Sequence, residues 1–384
     1  MACSVFRSVL SPSGWRSRPV RFGAPAAVGA LALLVLTAPS AMATPSAAAA
    51  GTPAAGTPAA SGPKVVATIA LSLEPLAVAI SPRTGTVYVP SELVSRDSFT
   101  SGIAMISGST NKVIASITDQ KGPFAAAVSP RNGDIYVANG GASDLWVISG
   151  KTGKVITTIP VKGGVAAVAV SPLNGDIYAA DDGVSVISGT TNKVIAVIKE
   201  RHPAGAVAVS PRTGDVYVTE VAGNPSEADS ISVINGKTDK IIDTIADRYN
   251  PTSIAVSPVT GEVYITNYGT GDLGAGDHAS VLVLSGRTGK TITDIPDANL
   301  PDAVAVSPRT GAVYVTDQGF GATVGGVFKI WPGGVKVIGG RTNKVTATVP
   351  DADSPDAIAV SPRSGDVYVA NSLDGDFTVW VIAG

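Results

Sequence analysis

The chain is poor in cysteine, histidine and aromatic residues, and each shortage disfavours a class of protein. Its single cysteine, Cys3, lies in a segment that we expect to be cleaved, so the mature protein would have no disulfide. The two histidines, His202 and His278, disfavour a transition-metal site. Aromatic residues make up 5% of the chain, whereas Gly and Pro number 43 and 27. This composition favours β-branched packing and frequent turns over long helices, and it predicts a soluble all-β protein.

Common catalytic and phosphate-binding motifs are also missing. The sequence has no G-x-x-x-x-G-K-[ST] loop, no dinucleotide fingerprint between a strand and a helix, and no G-x-S-x-G turn. A Ser-His-Asp triad stays open on composition alone. His202 beside Arg201 and Pro203 is more simply an exposed loop residue.

The first 43 residues contain basic but no acidic residues. Four arginines precede the apolar run AAVGALALLVLTA, and Ala41-Met42-Ala43 follows it. This order predicts a secretory signal peptide cleaved after Ala43. The alternative is an uncleaved anchor, but the run is shorter than the roughly 20 residues that span a bilayer. We therefore expect a secreted or cell-surface protein with no membrane span after cleavage.

Loss of this segment removes four arginines and lowers the formal net charge from −2 to −6. A net acidic domain argues against a general nucleic-acid binder, although it leaves a local basic patch open. Residues 44 to 63 contain only Ala, Gly, Pro, Ser and Thr, which predicts a disordered linker.

Two motifs alternate from Lys64 to the end of the chain. The first, exemplified by AVAVSPRTGDVYVTE at 206 to 220, occurs seven times, and the second, exemplified by ISGTTNKVIAVI at 187 to 198, occurs six times. In each motif a turn separates two apolar runs, which is typical of a β-hairpin. A unit is thus four short strands, which we name a, b, c and d.

The ends of the repeat region complete the pattern. The region begins with KVVATIAL at 64 to 71, a d strand without a c strand before it, and ends with FTVWVIAG at 377 to 384, a c strand without a d strand after it. Joined, they complete a seventh unit and remove the free edges of an open array. The strands are almost wholly apolar, as in sheets covered on both faces. These features predict a seven-bladed β-propeller over residues 64 to 384, with a solenoid stack as the alternative.

The repeats resemble those of the YVTN family of β-propellers, also called YncE-like proteins. The resemblance rests on Val263-Tyr-Ile-Thr-Asn267, Val216-Tyr-Val-Thr-Glu220 and Val313-Tyr-Val-Thr-Asp317, each between a Ser-Pro-x-Thr-Gly turn and a unit of the second motif. No copy spells the tetrapeptide YVTN. The resemblance covers residues 64 to 384 and implies a seven-bladed propeller, often exported or cell-surface, without implying a reaction.

Residues that recur in every blade are interpreted as architecture. Seven of the nine tyrosines occupy one repeat position, so we expect them to pack between blades with hydrogen-bonded hydroxyl groups. The Ser-Pro serines and the turn arginines are interpreted in the same way. Strand a, rich in Ala and Val, is expected to be innermost.

Ligand-binding candidates are therefore sought among residues that differ between blades. Propellers hold ligands where loops meet at one mouth of the channel, here the d-to-a and b-to-c connections. Acids or amides end six of the b strands, and Pro90 ends the other. The candidates are Asn139, Asp181, Glu220, Asn267, Asp317, Asn371, Asp302, Asp356, Arg201, His202 and Trp331.

Such a ring of carboxylates and amides suits a hard cation or a polyhydroxylated ligand, or it is a solvated rim with no ligand. Calcium stays open as a cofactor, because two loops, 269 to 278 and 371 to 378, have closely spaced oxygen ligands. The irregular insertion 319 to 334 carries Phe320, Phe328 and Trp331, which would form an aromatic platform or pack the insertion onto the rim.

The leading hypothesis is an exported, non-catalytic and monomeric propeller that binds an extracellular ligand or protein through this face. The alternative is a propeller hydrolase of lactonase type, in which rim carboxylates hold a divalent cation. Binding of single-stranded nucleic acid, which Arg201 and Trp331 would support, is disfavoured by the acidic net charge.

Overall fold

A computed structural model describes residues 62–94, 99–119, 121–222, 227–247, 249–269, 278–297, 299–324, 327–331, 333–350, 354–372 and 377–384. The signal peptide predicted for residues 1–43 and the linker predicted for 44–63, apart from Gly62 and Pro63, lie outside the described residues. Both stay predictions. Within the described ranges, no helix is long and apolar enough to cross a membrane.

The protein is a seven-bladed β-propeller, as the repeats predicted. Each blade is a four-stranded antiparallel sheet in the order a, b, c, d, and strand a of blade 1 is split in two. Blades 1 to 3 comprise β2 (Glu74–Pro75), β3 (Ala79–Ile80), β4 (Val87–Val94), β5 (Phe99–Ser107) and β6 (Lys112–Asp119); β7 (Pro123–Val128), β8 (Ile135–Asn139), β9 (Asp144–Ile148) and β10 (Val155–Pro160); and β11 (Ala167–Val170), β12 (Ile177–Ala180), β13 (Val184–Ser188) and β14 (Lys193–Ile198).

Blades 4 to 6 repeat this order, and blade 6 carries an additional hairpin between strands b and c. They comprise β15 (Ala204–Val209), β16 (Val216–Glu220), β17 (Ser230–Asn235) and β18 (Lys240–Ala246); β19 (Pro251–Val256), β20 (Glu262–Asn267), β21 (Ser280–Ser285) and β22 (Thr291–Pro296); and β23 (Pro301–Val306), β24 (Val313–Asp317), the hairpin β25 (Phe320–Val324) and β26 (Val327–Trp331), β27 (Gly334–Gly339) and β28 (Lys344–Pro350). The insertion predicted to be irregular therefore contains two paired strands.

Blade 7 closes the ring with strands from both ends of the repeat region. Strands β29 (Pro355–Val360), β30 (Val367–Asn371) and β31 (Thr378–Ile382) are completed by β1 (Val65–Ala70). Thr68 pairs with Trp380 in this junction. The predicted closure is confirmed, and β31 is paired on both edges, by β30 and β1.

The a strands surround the propeller axis, because each one contacts the a strands of both neighbouring blades. Successive strands are antiparallel, so all a-to-b and c-to-d turns lie on one face of the ring, which we call the turn face. The b-to-c and d-to-a connections lie on the opposite face, which we call the loop face.

Apolar contacts between blades form the core. Tyr136 and Val147 of blade 2, for example, share one cluster with Val168 and Ile177 of blade 3. The b strands Ile135–Asn139 and Val216–Glu220 are buried along their whole length. Their unbroken apolar pattern is explained by this coverage on both faces.

Turn geometry explains the glycines of both motifs. Gly175 has a φ of 87° in its a-to-b turn, and Asn192 has a φ of 54° in the c-to-d turn of the same blade. Both values fall in the left-handed region that Gly and Asn tolerate best. A Cβ atom at Gly189 would also overlap the carbonyl oxygen of Gly175. The two turns of a blade therefore pack against each other through glycine.

The tyrosines of strand b link consecutive blades, as expected for architectural residues. Tyr136 donates a hydrogen bond of 3.0 Å to Asn192 Oδ1 in the next blade, and Tyr217 donates one of 2.9 Å to the carbonyl oxygen of Gly286. Burial raises the pKa of Tyr217 to about 12. These hydroxyl groups are thus neutral hydrogen-bond donors to the neighbouring c-to-d turns.

Candidate functional site

The six b-strand ends on the loop face are buried, not solvated. Their exposed fraction is at most 1%. The d-to-a connection of the preceding blade and the first residues of strand c cover them, because several of their hydrogen bonds run to these segments. The prediction that they form a solvated rim is therefore wrong. The residues concerned are Asn139, Asp181, Glu220, Asn267, Asp317 and Asn371.

In blade 2 the buried end carries an amide, a carboxylate and an ammonium group. Asn139 Nδ2 donates to Asp144 Oδ1 at 2.7 Å, and Lys121 Nζ lies 2.8 Å from Asp144 Oδ2. The Lys121 ammonium also stands 5.7 Å from the centroid of the Trp146 ring. A lysine of the connection from blade 1 to blade 2 thus pairs with the carboxylate of Asp144.

Blade 3 has a simpler arrangement. Ser185 Oγ donates to Asp181 Oδ2 at 2.6 Å. Burial raises the pKa of Asp181 above its usual value, and hydrogen bonding to Ser185 opposes the shift. No basic side chain among the described residues forms an ion pair with this carboxylate.

Two carboxyl groups meet between blades 3 and 4. Ser232 Oγ lies 2.8 Å from Glu200 Oε2 and within hydrogen-bond distance of Glu220 Oε1. A serine hydroxyl group has one proton to donate. It satisfies both contacts only when it donates to one carboxylate and accepts from the other in its protonated form.

Burial dominates the electrostatics of Glu200 in this pair. Glu220 Oε2 accepts hydrogen bonds of 3.1 Å from the backbone N–H groups of Arg201 and His202. Burial, and then the charge of Glu220, raise the pKa of Glu200 to about 7. The pair therefore contains a carboxyl group that titrates near neutral pH.

Arg201 and His202 flank this pair on the solvent side. Arg201 Nη2 lies 3.5 Å from Glu227 Oε2, and its side chain is 73% exposed. His202 Nε2 lies 3.4 Å from the same oxygen without forming a hydrogen bond to it. The side chain of His202 is 10% exposed, so the expectation of an exposed loop histidine is wrong. Its backbone N–H donates a hydrogen bond to Glu220 Oε2.

Blade 6 has a lysine where blade 4 has a serine. Lys336 and Ser232 are both the third residue of strand c. Lys336 Nζ contacts Asp297 Oδ1 and lies 2.9 Å from Asp317 Oδ2. Burial, and then the charge of Asp297, raise the pKa of Asp317 to about 8, although Lys336 opposes the shift. One cation thus bridges two buried carboxyl groups.

Amides replace the carboxylates in blades 5 and 7. Asn267 pairs in register with Ser280, and Asn371 Nδ2 donates to Thr378 Oγ1 at 3.3 Å. Among the described residues, some buried side-chain oxygens of the loop face have no hydrogen-bond partner. These oxygens are Asn139 Oδ1, Glu200 Oε1, Asn267 Oδ1, Ser280 Oγ, Asp317 Oδ1 and Asn371 Oδ1.

Asp302 and Asp356 occupy the second position of the a strands of blades 6 and 7. Both are half-buried beside the axis. The carbonyl oxygen of Asp302 accepts a hydrogen bond of 2.8 Å from Thr252, and Asp356 Oδ1 accepts one of 3.2 Å from Gln318. These two candidates lie closer to the channel mouth than the buried b-strand ends.

Other predicted features lie partly outside the described residues. Trp331 ends β26, and the aromatic platform predicted for its side chain stays a prediction. Most of the loop 269 to 278 and residues 373 to 376 of the second calcium candidate are not described. Within the described ranges, no group of three or more His, Cys, Asp or Glu side chains is arranged to hold a metal ion.

A cavity of about 250 Å³ lies between blades 4 and 5 near the loop face. Its lining includes Asp247, Tyr249, Asn267 and Asp294. The Tyr249 ring stands 4.5 Å from the His278 ring, centroid to centroid. One predicted b-strand end, Asn267, thus lines this cavity together with two carboxylates and an aromatic ring.

Sequence reasoning missed Lys336, Ser232 and Asp297. A signal for Lys336 was present, because VKVI in blade 6 replaces VSVI in blade 3 at a strand c that is otherwise apolar or neutral. Its pairing with Asp297 joins two blades, and the repeat alone does not specify that contact.

Comparisons with known proteins support the fold. No family model matches the chain, and no curated protein matches it. Hydrazine synthase of Kuenenia stuttgartiensis is similar in structure, with a TM-score of 0.66, 18% identity, and coverage of 81% of this chain and 96% of that one. The β-propeller domain of Cps50 (Swd1) from Myceliophteria thermophila has a TM-score of 0.62 at 12% identity, covering 84% of this chain and 99% of that one. These similarities show the propeller fold alone.

Proposed function

We propose that the chain is an exported, non-catalytic β-propeller of the YVTN type that binds a ligand or protein partner through its loop face. Export and family membership rest on the signal-like first 43 residues and on the repeat sequences. The observation that carries the binding function is the contrast between the two faces. Turn chemistry repeats from blade to blade, whereas the combination of buried polar side chains on the loop face differs from one blade to the next.

Ring architecture does not require a carboxylate or an amide at this loop-face position. In blade 1 the residue equivalent to Glu220 is Ser91 and not Pro90, because each lies three residues after the strand b tyrosine, yet both blades have four-stranded pairing. Buried carboxyl pairs cost desolvation energy and are weak contributors to stability. A position that varies at such a cost is better explained by recognition than by packing.

Ligand chemistry follows from the unpaired atoms. Buried oxygens such as Asn267 Oδ1 and Glu200 Oε1 accept hydrogen bonds, and leaving such atoms unpaired is unfavourable. Donor groups of a ligand reach these oxygens in one of two ways: directly, after the covering loops move, or through a bridging water molecule. The complementary ligand carries hydroxyl or ammonium groups, as a polyhydroxylated molecule or a basic peptide segment does.

Thermal denaturation with three probes tests this proposal: chitotetraose, spermidine and calcium chloride. We expect at least one probe to raise Tm and the double variant Asp302→Asn/Asp356→Asn to lose that shift. The double variant Asp215→Asn/Asp366→Asn changes the charge equally on the turn face and should retain it. If no probe raises Tm, or if both variants respond alike, binding through the loop face is not supported.

The Glu200 and Glu220 pair favours the hydrolase alternative, because a carboxyl group that titrates near pH 7 suits acid and base catalysis. Hydrolysis of γ-butyrolactone and p-nitrophenyl acetate, with calcium or zinc added after chelation, distinguishes the two functions. If the protein only binds its ligand, we expect to see no turnover that is lost in Glu200→Gln. Turnover lost in this variant but kept in Glu227→Gln would favour the hydrolase.

A further inference from the structure

The turn face is strongly basic although the whole chain is slightly acidic. Lysines and arginines of the a-to-b and c-to-d turns are exposed in every blade, and Lys64 joins them at the start of β1. They are Arg83, Lys112, Arg131, Lys151, Lys154, Lys193, Arg212, Lys237, Lys240, Arg287, Lys290, Arg309, Arg341, Lys344 and Arg363.

Acids of the turn face are fewer and less accessible. Six acids of the turns are half-buried, and neighbouring groups hold several of them: Asp134 Oδ1 accepts from Gly150 N at 3.3 Å, and Glu262 Oε2 from the Tyr264 hydroxyl at 2.8 Å. Asp243, which follows Ile242 in β18, is an exposed acid beside these turns. The solvent-facing charge of this surface is therefore positive. The acids are Asp134, Asp176, Asp215, Asp239, Glu262 and Asp366.

The cations form two concentric sets on this face. Arginines of the a-to-b turns lie near the axis, where Arg83 Nη1 donates to the carbonyl oxygen of Arg131 at 2.7 Å and Arg212 Nη1 to that of Val259 at 3.1 Å. Lysines of the c-to-d turns lie toward the periphery. The positive charge is thus spread over a disc and does not follow a groove.

Exposed aliphatic side chains accompany the peripheral lysines. In blades 1 to 4 a lysine begins strand d, or directly precedes it in blade 2, and an aliphatic pair follows the lysine; a β-bulge at this pair interrupts the ladder. The second member is more than half exposed in each: Ile114, Ile156, Ile195 and Ile242. Cations beside exposed aliphatic groups are typical of surfaces that contact the lipid interface.

We propose that the turn face docks onto a membrane surface rich in acidic phospholipids. A planar array of headgroups meets all seven blades at once, whereas a linear polyanion would contact only a strip of the disc. The turns contain no Phe, Tyr or Trp on which nucleic-acid bases would stack. Docking in this orientation leaves the loop face directed away from the membrane.

Co-sedimentation of the full chain with vesicles tests the proposal. Phosphatidylcholine vesicles are compared with vesicles containing phosphatidylglycerol at about 30 mol%, at low and high salt. The pure phosphatidylcholine arm also reports any insertion of the apolar run at 26 to 38. We expect binding to the anionic vesicles alone, weakened by salt because the attraction is screened.

Two double variants remove equal charge from opposite ends of the same strands. On the turn face, Lys154 directly precedes β10 and Lys193 begins β14. On the loop face, Lys162 follows β10 and Lys199 follows β14. At about 1 kcal/mol per lysine, Lys154→Gln/Lys193→Gln should weaken vesicle binding roughly 30-fold. Lys162→Gln/Lys199→Gln should leave it nearly unchanged.

Each other outcome contradicts membrane docking. Absence of binding at low salt would overturn it, as would equal binding to both vesicle types or equal effects of the two variants. Tighter binding to double-stranded DNA than to anionic vesicles would replace the membrane by a nucleic acid. Salt-sensitive assembly of the protein alone, disrupted by the turn-face variant, would assign the turn face to the loop face of a second copy.

Discussion

The hydroxyl group of Tyr368 donates a hydrogen bond of 3.1 Å to Asn111 Oδ1, a residue 257 positions earlier in the chain. This contact joins blade 7 to blade 1. The same b-strand tyrosine joins other consecutive blades, as Tyr136 does to Asn192. Ring closure therefore uses both a shared blade and the side-chain contact found elsewhere in the ring.

Replacing Tyr368 with Phe should lower the free energy of unfolding by about 1 kcal/mol, because one hydrogen bond is lost while the ring still packs. Urea denaturation measures the change. Tyr314→Phe is a matched control. Blade 7, the next blade, has no c-to-d turn, because its strands c and d are β31 and β1 from opposite ends of the repeat region. The Tyr314 hydroxyl has no hydrogen bond to the described residues. Equal losses in both variants would contradict a stabilising role for the Tyr368 contact.

The pH dependence of stability should report the Glu200 proton. The pKa of this carboxyl group is raised from 4.5 to about 7, so between these values the folded protein binds more protons than the unfolded chain. Its contribution is fully present below pH 4.5 and is lost as the pH rises through 7. Glu200→Gln, which mimics the protonated form, should flatten this slope and raise stability at pH 8.

The gain at pH 8 should be on the order of 1 kcal/mol, because Glu200 is partly solvated and the shift must be discounted for screening. Thermal denaturation from pH 4 to 9 checks both the sign and the slope. Glu227→Gln, at an exposed glutamate of the same region, should retain the wild-type slope. A slope unchanged in Glu200→Gln would show that the proton resides elsewhere.

Deleting residues 64 to 71 should destabilise the ring. The deletion removes β1 with its buried Ile69 and exposes the edge of β31. The loss should reach at least the roughly 2–5 kcal/mol that truncating a buried isoleucine costs. An exposed strand edge also favours intermolecular pairing. Chemical denaturation and size-exclusion chromatography measure the two effects.

A synthetic peptide tests whether the lost strand itself is responsible. KVVATIAL added in trans should restore part of the stability by pairing with β31. The same peptide with Ile69→Lys should not, because that side chain enters the core between blades 7 and 1. Wild-type stability of the deleted protein without peptide would mean that closure through β1 is dispensable.

The repeat pattern was sufficient to predict the fold and the closing pair of strands, because both depend on local periodicity. Turn glycines, innermost a strands and inter-blade tyrosines follow from residues that recur in every blade. The buried state of Asn139 and Glu220 did not follow, because their covering residues come from the d-to-a connection and strand c. Contacts such as Lys336 with Asp297 join two blades at one position of the ring, and nothing in the periodicity indicates them.

Lys336 provides the sharpest test of the buried charges. Lys336→Met leaves Asp297 and Asp317, whose side chains are 2% and 1% exposed, without their shared cation. Breaking a buried pair from one side costs about 3–5 kcal/mol, because the remaining charge is uncompensated. The cost should be greatest above pH 8, where Asp317 is ionised, since burial and Asp297 raise its pKa to about 8.

Adding Asp297→Asn and Asp317→Asn to Lys336→Met should recover most of this loss, because the remaining groups are neutral. A thermodynamic cycle over the single and combined variants isolates the coupling between the lysine and the two acids. Lys199→Met, at an exposed loop-face lysine, controls for the removal of a charge and should cost less than about 0.5 kcal/mol. Additive effects within the cycle would mean that the lysine does not stabilise the acids, and the interpretation of blade 6 as a bridged carboxyl pair would fail.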